Sequence, residues 1–170
     1  MTRLAADEAG QRVATLFESA AARLFEDLAQ SGAIPEAALA NARQEWDYYA
    51  LFGCVRGIVA ARGFAPKTAD TINTLHSEVF RGWDAAALGG MDTTRRALLG
   101  RRYEAYETIA QAGGAAGADD VAARLGAEAA RHMIGEKAPA DIVEILGSMH
   151  EVLAEAVVAV LSGEGELPGA

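Results

Sequence analysis

The sequence predicts an all-α fold, an up-and-down bundle of five to six helices, on three observations. Alanine is abundant while β-branched and aromatic residues are sparse, a balance that favours helix over strand. The four prolines, at 35, 66, 139 and 168, all fall where they punctuate helices. The stretch Glu45 to Phe64, EWDYYALFGCVRGIVAARGF, carries apolar residues on more than one helical face, so it demands neighbours on most sides. That stretch is the expected centre of the bundle. Trp46, Tyr49 or Ala50, Gly53, Gly57 and Ala60 or Ala61 form one stripe of it, and Tyr48, Leu51, Phe52, Val55 and Val59 fill the flank. Glycine costs about 1 kcal/mol against alanine inside a helix, so two glycines on one face point to a neighbouring backbone passing close. The run is too short, and Arg56 too central, for a membrane span.

In chain order, a first helix from about Leu4 to Gln30 keeps a helical period through Val13, Leu16 or Phe17, Ala20, Leu24 and Leu28. Ser31-Gly32 supplies a left-handed stop, and Pro35 opens the central helix, which Gly63 ends after Arg62. Pro66 starts a third helix to about Phe80, buried along Ile72, Leu75, Val79 and Phe80, with Trp83 sealing its end. The glycine pair in Ala85 to Met91 makes a turn. A fourth helix begins at an Asp92 or Thr93 cap and runs to about Ala112, with Arg95, Leu99, Arg102, Tyr106 and Ile109 on one face. Residues 113–118 are a flexible connection, and Asp119 or Asp120 caps a fifth helix to about Met133. Pro139 opens the sixth, Ala140 to Leu161, with Ile142, Ile145 or Leu146, Met149, Leu153, Ala156 and Val160 inward and Glu144, Glu151 and Glu155 outward.

A chain of 170 residues fits one domain, here 1–162 followed by a frayed tail at 163–170. The net charge of −9 opposes non-specific attraction to nucleic acid or anionic lipid, and no membrane association is expected. The single cysteine, Cys54, forms no internal disulfide and fits a reducing, cytoplasmic compartment. The residues after Met1 have no apolar core behind Arg3, so no secretory leader is expected there.

Residues of about 42–132 carry four landmarks in order: Trp46-Asp47-Tyr48-Tyr49-Ala50-Leu51-Phe52, then Ala60-Ala61-Arg62-Gly63-Phe64-Ala65-Pro66-Lys67-Thr68, then Leu75 to Phe80, then Leu98-Leu99-Gly100-Arg101-Arg102-Tyr103-Glu104-Ala105-Tyr106. In that order they resemble the HEPN domain, a small helical family. The resemblance implies a helical bundle, commonly a homodimer that brings the two arginine-bearing helices together. It also implies nucleotide or RNA binding in a toxin–antitoxin or defence setting, where the protein partner is a nucleotidyltransferase or a toxin. The family's ribonucleases place a His four to six residues after an Arg; none follows Arg101 or Arg102 at that spacing, and Tyr106 stands there. Ala69 likewise stands where many members have His. The resemblance therefore implies binding without turnover, and any turnover retained would be metal-independent cleavage of RNA.

The candidate ligand site is Arg95, Arg101, Arg102 and Tyr106, because a guanidinium binds phosphate bidentately and a phenol adds a hydrogen bond. The family match points to Arg101, whereas Arg102 lies nearer Tyr106 on the helix. The plainer alternative pairs these arginines with Asp92, Glu104 or other neighbours on a solvated face. His76, His132 and His150 each lie near an acid, Glu78, Glu128 and Glu151, but no Glu-x-x-His pair repeats. They are expected at the surface or its boundary, with no metal and no cofactor. Cys54 is expected in the core as an inert thiol, and Trp46, Tyr48 and Tyr49 as core rather than base-stacking residues. The alternative function is a structural or interaction bundle that grips a partner helix with its sixth helix; a metal-binding bundle is a third reading.

Overall fold

The structure, a computed structural model, describes residues 4–87, 90–113 and 118–163. Among them are helices only. The first rod comprises α1 (Ala6–Leu16), a π-helical turn (Phe17–Ala21) and α2 (Ala22–Gln30); it is followed by α3 (Leu39–Arg62), α4 (Pro66–Ala86), α5 (Thr93–Ala112), α6 (Ala118–Ile134) and α7 (Ala140–Ser162). The chain is therefore an all-α bundle of six rods.

The central helix is where its apolar faces require it. α3 packs on α7 and α6 and also touches α4, α5, α2 and the π turn, while α1 lies against α4 and α5 against α6. Trp46, Tyr48, Tyr49, Leu51 and Ile58 are fully enclosed. The two glycines mark the close approach of α7: a methyl built on Gly57 would lie 2.6 Å from the Ala154 carbonyl oxygen, and one on Gly53 3.2 Å from His150 Nδ1. Tyr49 ties the same two helices, its hydroxyl donating to the Leu146 carbonyl at 3.1 Å.

The π turn corrects the register expected of the first rod. One inserted residue rotates everything after it, so Ala21, Phe25 and Leu28 are buried where a regular helix would bury Ala20, Leu24 and Leu28. Local side chains reach the carbonyls there: the Ser19 hydroxyl donates to Thr15 O at 3.0 Å, and the Trp46 indole donates to Ala21 O at 2.8 Å. α4 also exceeds its expected end at Phe80. It continues through Ala86, so Trp83 lies within the helix rather than beyond it, its ring edge-on to Tyr48 at 5.8 Å. The buried edge of α4 is Thr68, Thr71, Leu75, Val79 and Trp83; Ile72 and Phe80 are half-buried.

Gly32 and Gly63 take positive φ at the ends of α2 and α3, and Asp92 caps α5 by accepting from Arg95 N at 2.9 Å. On α7 the inward positions are Ile142, Leu146, His150, Leu153, Val157 and Val160; Met149 and Ala156 are half-buried. By length and composition α7 could cross a membrane, and in this fold its apolar face is laid against α3 and α6. The expected turn at 88–89, the connection at 114–117, the side-chain caps Asp119 and Asp120 and the tail from 164 lie outside the described residues.

Candidate functional site

Arg95, Leu99, Arg102, Tyr106 and Ile109 do share one face of α5, and that face is turned inward, with Leu99 and Tyr106 buried. Opposite it, α3 presents two carboxylates. Arg102 Nε and Nη2 donate to Glu45 Oε2 and Oε1, both at 2.7 Å, in a two-pronged charge-assisted pair. Glu45 is only 3% exposed. The hydrogen bond to Glu45 holds the Arg102 guanidinium above its ordinary pKa. Arg95 donates to Asp47 Oδ2 at 2.5 Å and lies over the Trp83 ring at 3.9 Å from its centre. Burial pushes the Asp47 carboxyl up, against the lowering influence of Arg43 and Arg95 beside it.

The four predicted residues therefore do not converge. Arg95 and Arg102 stand two turns apart, about 10 Å along the axis, each bound to its own carboxylate. Arg101 is exposed and makes no ion pair among the described residues. Neither Asp92 nor Glu104 is the partner, as the solvated-face alternative had it; the partners are Asp47 and Glu45 of α3. Arg96 follows the same rule on the next face, pairing with Asp84 while lying 4.7 Å from the Phe80 ring centre.

α6 adds a second charged group beside Tyr106. The His132 ring meets Tyr106 edge-on, with centres 6.4 Å apart, and His132 Nε2 lies 2.9 Å from Glu128 Oε1. Arg131 Nε donates to the other Glu128 oxygen at 3.0 Å and lowers its pKa. Asn41 of α3 donates to the carbonyls of His132 and Met133, each at 2.9 Å, fixing the end of α6. Burial, then the nearby Arg102, lowers the His132 pKa. Burial pushes the Tyr106 phenol far up, and its hydroxyl has no hydrogen-bond partner within the protein. Glu45, Arg102, Tyr106, Glu128, Arg131 and His132 thus form one cluster between α3, α5 and α6. Its cations are already matched to carboxylates, so an incoming phosphate has to displace Glu45 or Glu128 to reach a guanidinium.

His150 corrects an expectation: it is fully buried, not at the surface. Its ring centre lies 4.9 Å from Tyr49 and 5.9 Å from Phe52, and neither ring nitrogen has a hydrogen-bond partner within the protein. Burial, aided by Arg56, lowers its pKa to about 3. His76 Nε2 and the Tyr103 hydroxyl lie 2.9 Å apart, and burial lowers the His76 pKa to about 4. Among the described residues no three His, Cys, Asp or Glu side chains are placed to hold a metal ion. Cys54 is buried and its thiol is pushed up to about 12, which leaves it unreactive near neutral pH.

Two kinds of residue escape a reading of α5 alone. Glu45 and Asp47 carried a signal, since acids at the head of a helix apolar on most sides need buried cations. His132 carried a weaker one, its spacing of four from Glu128.

An open apolar groove of about 540 Å³ runs between the C-terminal halves of α3 and α5. Phe52, Val55, Val59, Ala60 and Ala110 line it, Arg56 and Glu107 stand on its walls, and Phe64 on its rim is 97% exposed. Fold and site together define an all-α bundle whose inner arginines are clamped by carboxylates and which carries one open apolar groove between α3 and α5. Compared with protein-family models, with curated proteins and with solved structures, the chain matches none.

Proposed function

We propose that this chain is a HEPN-like helical binding module of a toxin–antitoxin or defence setting, without catalytic turnover, and that what it binds is a protein rather than a nucleotide or RNA. The observation that carries this reading is the neutralised arginine face: the Arg102–Glu45 and Arg95–Asp47 pairs leave neither guanidinium of the inward face of α5 uncompensated. The apolar α3–α5 groove supplies the kind of surface that proteins rather than phosphates occupy. Titration with ATP, GTP and a single-stranded oligoribonucleotide, read by thermal shift, tests it. A ligand that binds the folded state raises Tm in proportion to the logarithm of its excess over Kd, so the expected result is no shift. A saturable rise that Arg101→Ala or Arg102→Ala removes overturns the reading.

One observation favours a second reading. His132 reaches Tyr106 from α6, so an imidazole stands beside Arg102 even though none follows it in sequence. Metal-independent cleavage of RNA needs a base, an acid and a cation for the phosphorane, and this cluster contains those residue types. RNA cleavage in the presence of a chelator, abolished in both His132→Ala and Arg102→Ala, would establish that reading; intact RNA excludes it.

A further inference from the structure

We infer that the groove between α3 and α5 takes one amphipathic α-helix of a partner protein, an apolar stripe flanked by an acid on one side and a base on the other. The inference rests on the protein-binding reading above and specifies the chemistry of what is bound. Backbone chemistry selects the helix. The groove is walled by two helices whose N–H and C=O groups are used within themselves, and among the described residues there is no strand edge. An extended segment laid there would leave its own main-chain groups without partners in an apolar cleft, whereas a helix brings them already paired. The dimensions agree. The α3 wall from Phe52 to Ala60 runs about 12 Å, a little over two turns. Phe64, 97% exposed after Gly63, whose positive φ turns the chain out of α3, extends the apolar wall past the end of the helix.

Charge complementarity fixes the flanks. Arg56 on the α3 wall and Glu107 on the α5 wall are not paired with each other, and neither makes an ion pair to another described residue. A helix seated between them turns one flank to each wall, as the residues beside a coiled-coil seam do. An acid facing Arg56 and a base facing Glu107 are both attracted, whereas two acidic or two basic flanks meet one like charge. With a net charge of −9 the molecule as a whole favours basic partners, so Arg56 is what admits the acidic flank. The surface is distinct from the α5 face of Arg95, Arg102 and Tyr106, which is turned towards α3 and α6.

Three synthetic helical peptides that share one leucine stripe, with mixed, doubly acidic or doubly basic flanks, test the assignment by fluorescence anisotropy against the full chain. The mixed-flank peptide is expected to bind saturably and about tenfold more tightly than the other two. In Arg56→Glu the doubly basic peptide should become the tightest, and in Glu107→Arg the doubly acidic one. Phe64→Ser, at a site too exposed to disturb the core, should weaken the mixed-flank peptide by about tenfold with an unchanged melting curve. No saturable binding of that peptide, equal affinity for all three, a preference that neither charge reversal moves, or indifference to Phe64→Ser overturns the assignment. Self-association in sedimentation velocity that Phe64→Ser abolishes gives the groove to a second copy and overturns it too. A nucleotide-dependent thermal shift beside intact peptide selectivity sinks only the exclusion of nucleotides; no such shift and no peptide binding sinks the helix assignment alone.

Discussion

The charge on Arg102 is held by a partner that water cannot replace. Its guanidinium is bound at 2.7 Å by both oxygens of Glu45, whose side chain is 4% exposed. Removing one member of such a pair leaves the other charged and desolvated, which typically costs about 3–5 kcal/mol, whereas replacing both by apolar groups of similar size is often neutral. Arg102→Ala is therefore expected to lower stability by about 3 kcal/mol, and Arg102→Met/Glu45→Met to recover most of that loss. Arg101→Ala, on the exposed side of the same helix, should stay within about 0.5 kcal/mol. Urea unfolding at neutral pH measures all three; equal effects of Arg101→Ala and Arg102→Ala would show that the Glu45 clamp carries no stability. The residues of this face were legible from their offsets along α5. Its direction was not, because an arginine-bearing stripe reads equally as a solvated face or as a buried ion-pair seam until the acids of α3 are placed opposite it.

Elements were legible where periodicity and breakers agreed. Gly32, Gly63, Pro66, Asp92 and Pro139 mark helix ends that the structure keeps, whereas Pro35 opens a 3-10 turn, Glu36–Ala38, and α3 itself starts at Leu39; the paired glycines of α3 announced the close approach of α7. The π turn was not legible, since FESAA carries no residue that a regular helix would refuse, and its one-residue insertion shifts the buried stripe of α2. The end of α4 was missed for a related reason: Trp83 continues the buried stripe of Leu75 and Val79, but beside a glycine it looked like a plug beyond the helix. Helix contact decides what each glycine is worth. Gly100 sits on an exposed face of α5 with nothing near a built methyl, so Gly100→Ala should add about 0.5–1 kcal/mol from helix propensity alone. Gly57→Ala gains the same propensity but drives a methyl to 2.6 Å from a backbone oxygen of α7. Overpacking of that kind costs about 1–3 kcal/mol, so the net change should be destabilising. Thermal melts of the two variants check the opposite signs; a stabilised Gly57→Ala would mean that α3 and α7 can part without loss.

At the scale of the whole molecule, the all-α class and the central position of α3 followed from composition and from its all-round apolar pattern, but the burial of histidines did not. A His beside Glu151 on an otherwise amphipathic helix looks like a boundary residue. Only the crossing of α7 over Gly53 encloses it. The consequence is a bundle that weakens on mild acidification. His150, with Tyr49, Phe52 and Arg56 of α3 around it, has its pKa lowered to about 3, and His76, against Tyr103 of α5, to about 4. In the unfolded chain both titrate near 6.5. The folded state therefore binds fewer protons than the unfolded state through this window. Stability is full above about pH 6.5 and falls as the pH drops through the folded values. Carboxylates paired in the fold act mainly lower on the scale, so the interval between pH 7 and 5 isolates the histidines. There each should remove about 2 kcal/mol by pH 5, a large share of the 5–15 kcal/mol typical of a domain. Urea midpoints measured from pH 7.5 to 5 should decline steadily in the wild-type chain. In His150→Phe/His76→Phe the decline should shrink to the smaller part that the lowered His132 contributes, whatever that variant's absolute stability. A wild-type midpoint that is flat over this range would mean that water or backbone movement supplies both rings with partners, and that α7 lies less tightly against α3 than Gly53 and Gly57 indicate.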